Sequence, residues 1–214
     1  MTFKPGLTPV SRLGAADSGQ VNRYRVKNNT PVAYYTGQVV RVSNGFLQPA
    51  TNTSQPVGVF AGGMWIDGTT KRITRSLYIP SGTSTEGGFI DGLNTSTWGG
   101  NIALVYDDPK QQFVVKALAS IPATNIGAFA QIGDNLTGSS YSGRSNAAVS
   151  LGTGTSLTNA AFIITGIPTY DNQVGSGGVS VAPTPDGANQ NTWDVATTRV
   201  QVILAKHLYE RGNV

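Results

Sequence analysis

Short runs of β-branched and aromatic residues, separated by glycine and Asn-Gly turn signals, fill the chain from Val32 onward. Residues 39–42 form one such run, Asn44-Gly45 follows it, and residues 46–48 resume the apolar pattern. Runs of this length bounded by turn residues are typical of β-strands, and Asn and Gly tolerate the positive φ of a hairpin turn. The sequence therefore predicts an all-β barrel or sandwich of short antiparallel strands with long Gly/Ser/Thr/Asn loops.

A strict alternation of side chains marks one further strand. Ile73, Arg75, Leu77 and Ile79 occupy every second position, with polar residues and a tyrosine between them. Period-two alternation is typical of a half-buried strand. This segment is therefore predicted to bury its apolar face, with an arginine as the exception on that face.

The same patterns assign the remaining segments. Predicted strands cover residues 57–61 (ending at Gly62-Gly63), 162–165 and 199–204, and a hairpin over residues 102–115 turns at 107–110. A helix over residues 202–209 is the alternative at the C-terminal end, and residues 119–132 are ambiguous between helix and strand. Residues 80–100, 133–160 and 171–192 are predicted as long loops of unassigned function, with one short strand near 147–151.

The first thirty residues differ from the rest. They contain Pro5, Pro9 and several glycines, and their apolar residues are too dispersed for a core of their own. The prediction is an extended basic docking arm over residues 1–30, followed by a β domain over 31–214 with a possible subdivision near 80–100. The predicted partner-binding residues of the arm are Phe3, Leu7, Arg12, Arg23, Tyr24, Arg25 and Lys27.

Charge is scarce and unevenly distributed. Only 12% of residues are charged, and small polar side chains take their place, a composition that suits a surface largely covered by partners. Residues 1–80 carry nine Lys/Arg and two Asp, a net of +7, whereas residues 81–214 have a net of −3. The first segment is therefore expected to face an acidic partner. Arg23 and Arg25 flank Tyr24, a pattern that could also hold nucleic acid, but protein docking is the preferred interpretation.

Residues able to do chemistry are few. The chain has no cysteine and a single histidine, His207, so no thiolate site and no three-ligand zinc site of His and Cys can form. His207 is predicted to be a surface or interface residue, and Asp107-Asp108 a turn. Asp134-Asn135 and Asp171-Asn172 lack the spacing of a dedicated calcium site. The prediction is a protein that is not an enzyme and binds no cofactor or metal.

The N-terminal sequence lacks the apolar stretch of a signal peptide, and no run approaches the roughly 20 apolar residues of a membrane helix. The chain is therefore expected to be synthesised in the cytoplasm and to have no membrane partner.

Two segments carry a resemblance to a known class. Residues 35–50 (Tyr-Thr-Gly-Gln-Val-Val-Arg-Val-Ser-Asn-Gly-Phe-Leu-Gln-Pro-Ala) and residues 56–63 (Pro-Val-Gly-Val-Phe-Ala-Gly-Gly) resemble the small β domains of tailed-bacteriophage head decoration, or cement, proteins. The resemblance implies an auxiliary capsid protein on the virion surface that binds the major capsid protein and stabilises the icosahedral shell. A homo-oligomer, dimer or trimer, is expected, and direct nucleic-acid binding is not. The alternative is a tail-associated or receptor- or glycan-binding phage structural protein.

Overall fold

Two antiparallel sheets form the body of the protein, seen in a computed structural model that describes residues 6–13, 20–82, 85–86, 101–119, 121, 123–152, 158–166 and 199–210. The strands of the described residues are β1 (Thr8–Arg12), β2 (Val21–Val26), β3 (Tyr34–Tyr35), β4 (Val39–Ser43), β5 (Phe46–Pro49), β6 (Gly58–Asp67), β7 (Ile73–Ser76), β8 (Tyr78–Ile79), β9 (Thr85–Glu86), β10 (Asn101–Tyr106), β11 (Gln111–Lys116), β12 (Phe129–Ile132), β13 (Gly138–Ser139), β14 (Arg144–Ser145), β15 (Val149–Ser150), β16 (Phe162–Gly166) and β17 (Arg199–Leu204). Single 3-10 turns lie at Ala123–Asn125 and Leu208–Glu210.

The pairing order defines the two sheets. The first runs β1-β11-β17-β16-β12-β15. The second runs β2-β10-β6-β4-β5, and β7 and β9 also pair with β6. Strands β3 and β8 form one small ribbon, and β13 and β14 form another. The prediction of an all-β fold of short antiparallel strands is confirmed, and the described sheets pack as a sandwich without closing into a barrel.

The second sheet buries apolar side chains on both of its faces. Val39 and Val59 join the cluster that fills the space toward the first sheet, together with Phe113. Their chain neighbours Val40 and Phe60 point the other way, into a second cluster that also contains Tyr34 and Trp65. Because successive side chains of a strand alternate between faces, runs such as Val39-Val40 supply both clusters at once.

The Asn44-Gly45 turn is confirmed. Asn44 and Gly45 have φ values of 52° and 80°, and β4 pairs with β5 from Ser43↔Phe46 onward. Two consecutive residues at positive φ are the mark of the type I′ hairpin turn, whose twist matches that of the strands. The predicted strands at 162–165 and 199–204 are confirmed as β16 and β17.

The structure corrects the prediction of a separate arm over residues 1–30. In the described part of this segment, β1 pairs with β11 at the edge of the first sheet, and β2 pairs with β10 at the edge of the second. Leu7 is 1% exposed inside the first cluster. An edge strand is held by hydrogen bonds of its backbone N–H and C=O groups, which do not depend on apolar periodicity. A segment with dispersed apolar residues can therefore pair with a sheet and become part of the fold.

The predicted hairpin over residues 102–115 is also wrong. Its turn exists, since the Gln111 N–H donates to the Asp108 carbonyl at 3.0 Å. However, β10 belongs to the second sheet and β11 to the first, so they do not pair with each other. The edges that a hairpin would have joined are taken by β2 and β1, which come from far away in sequence.

Glycines do not end the strand that begins near residue 57. Strand β6 continues through Gly62 and Gly63 to Asp67, and its pairing with β10 shifts by one residue between Leu104 and Val105. Gly62 has a φ of +147°, a conformation that other residues rarely adopt. The glycines therefore allow a bulge within a long strand.

The face assignment over residues 73–79 is reversed in β7. Ile73 and Leu77 are 58% and 46% exposed, and Arg75 is exposed as well. Only Ile79, which lies in β8, is buried. Strand β7 pairs with the far end of β6, and no described layer covers its apolar side.

Other uncertain segments take short regular structure. Residues 119–132 contain the 3-10 turn at Ala123–Asn125 followed by β12, and the predicted loop over 133–160 contains the β13–β14 hairpin and β15. The predicted loop over 80–100 is described only in part, and the one over 171–192 lies outside the described residues.

Candidate partner-binding surface

The predicted partner-binding residues separate in the structure, and Phe3 lies outside the described residues. Leu7 packs in the core, so its predicted role as a docking anchor is wrong. Arg12 forms an ion pair with Asp108 at 2.5 Å. Lys27 is exposed beside an open groove of about 430 Å³ next to the β4–β5 hairpin. Only the residues of β2 remain together.

Strand geometry divides the Arg23-Tyr24-Arg25 run between two faces. Arg23 pairs across to Leu104 and Arg25 to Ile102, while Tyr24 pairs with Ala103. Side chains alternate along a strand, so both arginines lie on one face of the second sheet and the tyrosine on the other. The aromatic ring cannot stack a base held between the two arginines.

Arg23 lies on a surface that sequence reasoning did not find as a unit. We call it the arginine face and define it as Arg23, Gly62, Met64, Arg75, Leu77 and Leu104. These residues line an open groove of about 450 Å³ on β2, β10, β6 and β7. The strand register brings them together, because Leu104 pairs with Arg23 on one side and Gly62 on the other, and Met64 pairs with Arg75. The one available signal was the arginine among the alternating apolar residues of β7.

A glycine, Gly62, forms the floor of the arginine face, and its neighbour Gly63 faces the opposite side of the sheet. A Cβ at Gly63 would lie 2.5 Å from the side chain of Ile79, which is buried in the second cluster. Gly62 combines its positive φ with a backbone oxygen of Ser76 that lies only 3.1 Å from where a Cβ would stand. Gly63 therefore faces the second cluster, whereas Gly62 lies on the face of Leu104 and leaves the floor low between Leu77 and Leu104.

The cations of this face are available to a partner. Arg23 and Arg75 are exposed, and within the described part of the chain the ion pair shown by the structure joins Arg12 to Asp108, on a different turn. The face therefore combines two uncommitted positive charges with apolar side chains of Leu77 and Met64.

A polar cluster lies on the other side of β2. The Tyr24 hydroxyl donates to Asp107 Oδ2 at 2.7 Å and lies 2.7 Å from the Tyr209 hydroxyl, while Asn22 Nδ2 donates to Asp107 Oδ1 at 2.9 Å. Burial, followed by the hydrogen bonds of its hydroxyl with Tyr209 and Asp107, raises the pKa of Tyr24. The cluster joins β2, the β10–β11 turn and the 3-10 turn at Leu208–Glu210.

His207 lies next to this cluster, and its predicted surface position is wrong. It is 1% exposed, its ring lies 5.5 Å from that of Tyr209, and its Nδ1 accepts the Tyr209 N–H at 3.2 Å. Burial lowers the pKa of His207, and the nearby charges of Asp107 and Asp108 only oppose the shift. The enclosed imidazole packs against Tyr209 and orders the C-terminal turn through this hydrogen bond.

The carboxylates singled out in the sequence are engaged in turns. Asp108 pairs with Arg12 and accepts the Lys110 N–H at 2.8 Å, and Asp134 accepts the Thr137 hydroxyl at 2.6 Å. No group of three or more His, Asp or Glu side chains suited to a metal ion occurs among the described residues. Asp171-Asn172 lies outside them.

Comparison of the chain with protein-family models, with curated protein sequences and with solved structures gave no match. The part of the chain that the structure describes contains no helix long and apolar enough to span a membrane.

Proposed function

We propose that the chain is a structural protein of a bacteriophage virion that docks on the outer surface of an icosahedral capsid through its arginine face. The observation that carries the proposal is this open sheet face, on which Arg23 and Arg75 stand beside the exposed Leu77 and the half-buried Met64 and Leu104. The likeness of residues 35–50 and 56–63 to head decoration proteins supports the same role.

The chemistry of the face suits a protein interface. Interface cores are enriched in Arg and Met and depleted in Lys, Glu and Asp relative to other surfaces, and Arg residues often dominate binding energy. The groove has this composition, with Arg23, Arg75 and Met64 and no acidic side chain among the described residues that line it. Many copies, each adding a modest contact, stabilise a shell through multivalency. The chain is proposed to contact the major capsid protein and further copies of itself.

Reconstitution on empty shells tests the proposal. Shells of the same virus assembled without this protein are mixed with the purified full chain, and bound copies are counted after sedimentation. Hundreds of copies per shell and a higher shell melting temperature are expected. No binding, or a handful of copies at one vertex, would contradict a decoration role.

A tail-associated, glycan-binding protein is the second candidate. Tyr141 is 101% exposed in the turn between β13 and β14, where its ring could stack on a sugar. A glycan array probed with the wild-type chain and with Tyr141→Ala tests this role. Specific binding that is lost in the variant would favour the tail assignment, and Tyr209→Ala, at another exposed tyrosine, would show whether the loss is specific to this turn.

A further inference from the structure

We propose that the arginine face binds an extended acidic protein segment of the pattern acid-x-apolar-x-acid. The inference rests on the proposed function, because the segment would belong to the capsid protein. Its two carboxylates would pair with Arg23 and Arg75, and its apolar side chain would enter the groove above Gly62.

The spacing of the arginines sets this pattern. Arg23 lies on β2 and Arg75 on β7, with β10 and β6 between them. Neighbouring strands lie about 4.8 Å apart, so β2 and β7 are separated by about 14 Å across the sheet. Arg23 lines up with Gly62 and Arg75 with Met64, two residues further along β6. The two arginine backbones are therefore about 16 Å apart, and the long arginine side chains span the remaining difference. In an extended segment crossing the strands, residues i and i+4 are separated by about 13 Å and point to the same side. Residue i+2 shares that side and meets the glycine floor.

The walls of the groove specify the central residue. Leu77 is 46% exposed, and Leu104 and Met64 line the same groove. Because Gly62 contributes no side chain, the space between Leu77 and Leu104 remains open to an entering apolar group. A leucine-sized side chain buried there would remove apolar surface from water on both partners.

The four aspartates among the residues that the structure describes are held by contacts within this chain, which favours another protein as the source of the negative charge. Asp67 accepts the N–H groups of Thr70 and Thr69, at 2.6 and 3.0 Å, and the hydrogen bonds from the Thr70 N–H and hydroxyl are the main cause of its lowered pKa. Asp107, Asp108 and Asp134 are likewise held by their own chain. A second copy would therefore have to break internal hydrogen bonds to offer these carboxylates.

Nucleic acid fits the face less well than a peptide does. Single-stranded nucleic acid is bound by aromatic rings that stack on bases beside the cations. The arginine face has leucine and methionine walls, and Tyr24 lies on the opposite side of β2 with its hydroxyl bonded to Asp107.

Fluorescence anisotropy with the full chain tests the inference. The probe is a labelled nine-residue peptide, Gly-Ser-Glu-Thr-Leu-Thr-Glu-Ser-Gly, and its matched control carries glutamine in place of both glutamates. We expect the acidic peptide to bind at least tenfold more tightly than the control at low ionic strength. Affinity should fall at least tenfold in the Arg23→Gln/Arg75→Gln variant, because two charge-assisted hydrogen-bonded pairs are lost.

A control variant separates the face from overall charge. Lys110→Gln/Lys116→Gln removes two exposed cations elsewhere on the chain and should leave the affinity unchanged. Equal binding by the Arg23→Gln/Arg75→Gln variant would overturn the inference. So would tighter binding of a twenty-nucleotide oligo-dT, or a homodimer in sedimentation velocity that dissociates in this variant.

The inference and the proposed function fail differently. If the Arg23→Gln/Arg75→Gln variant still binds shells, the acidic-segment interaction is wrong but the decoration role stands. If the chain binds the acidic peptide through its arginines but does not bind shells, the peptide-binding inference stands and the decoration role is wrong.

Discussion

Two asparagine side chains behave like pieces of backbone at the seam between the sheets. Asn135 Oδ1 accepts the Val39 N–H at 2.9 Å, and its Nδ2 donates to the carbonyls of Val39 and Ala50 at 2.8 and 2.9 Å. Asn52 does the same to Ile132, accepting its N–H at 2.6 Å and donating to its carbonyl at 3.3 Å. Each loop thus binds a strand of the opposite sheet, and buried backbone groups are satisfied without a pairing strand.

Asn135→Asp should lower the free energy of unfolding by about 2–4 kcal/mol. The substitution keeps the shape but removes the donor, and it places a carboxylate against two carbonyl oxygens at a position that is 6% exposed. Urea unfolding measures the effect. Asn159→Asp, at an exposed asparagine, is the control and should change stability by less than about 0.5 kcal/mol. Similar effects of the two substitutions would argue against the backbone-like role of Asn135.

The buried position of the Tyr34 hydroxyl predicts that the free energy of unfolding falls at alkaline pH. Its hydroxyl is buried and donates to the Leu47 carbonyl at 2.7 Å, and burial raises the pKa of Tyr34 to about 12. An unfolded tyrosine ionises near pH 10, so the folded chain retains a proton that the unfolded chain releases. The stabilisation is complete below pH 10 and should decline by about 1.4 kcal/mol per pH unit between pH 10 and 12.

Unfolding midpoints of wild type and Tyr34→Phe, measured from pH 8 to 11.5, test this response. The wild type should be the more stable at pH 8, and its advantage should shrink above pH 10. Tyr141→Phe, at a fully exposed tyrosine, should run parallel to wild type at every pH. A constant difference between wild type and Tyr34→Phe would show that Tyr34 does not titrate differently on folding.

At the scale of elements, the N-terminal strands are part of the fold. Strand β1 completes one edge of the first sheet and β2 one edge of the second, and the Leu7 N–H donates to the Gly37 carbonyl at 3.0 Å. Between them, these strands cover the edges of β11 and β10, which would otherwise present unpaired backbone groups.

Leu7→Ala should cost about 2–4 kcal/mol of stability, since it removes a fully buried side chain from the first cluster. Leu13→Ala provides a matched control in the same segment, because Leu13 is 43% exposed. Chemical denaturation of both variants gives the comparison. If Leu7→Ala does not change stability, residues 6–13 do not contribute to the core and the separate-arm interpretation is favoured.

The β4–β5 hairpin depends on its turn. Gly45→Val should destabilise the fold by about 1 kcal/mol or more, because a β-branched residue resists a φ of 80°. A Cβ at this position would meet no atom within 4 Å, so the cost is purely conformational. Gly45→Asn should recover most of the loss in thermal melts, since Asn tolerates positive φ. Equal melting temperatures for Val and Asn would exclude strain as the cause.

At the scale of the whole molecule, the two sheets share chain segments and core residues. The connections from β1 to β2 and from β10 to β11 each pass from one sheet to the other. Strand β4 contributes Val39 to one cluster and Val40 to the other. Because the same strands contribute to both clusters, disrupting one cluster also destabilises the other. The described sheets are therefore expected to unfold together.

A substitution in one cluster, observed from the other, tests this coupling. In a Trp98→Phe/Trp193→Phe background, fluorescence reports on Trp65 in the second cluster. Val202→Ala, in the first cluster, should lower the urea midpoint of this signal and of far-UV circular dichroism by the same amount. A fluorescence transition that does not move would indicate two independently stable sheets.

The sequence by itself determined the local structure. β-branched runs, the Asn44-Gly45 turn and the alternation in β17 depend on neighbours a few residues apart, and the strands form where these patterns predict them. The segment from Ile73 to Leu77 shows what local patterns cannot predict, namely which face of a strand is buried. The alternation was correctly recognised, but periodicity cannot tell which face another layer will cover.

Only the tertiary structure decided which segments meet. Leu7 became core and β10 separated from β11 because edges of two sheets were filled by strands about eighty to a hundred positions away. His207 was buried by packing against residues around Tyr209 and Asp107. The arginine face arose the same way, from Arg23, Leu104 and Arg75 aligned by the register of β2, β10, β6 and β7. Such pairings follow from the summed free energy of long-range contacts, which no local window of sequence contains.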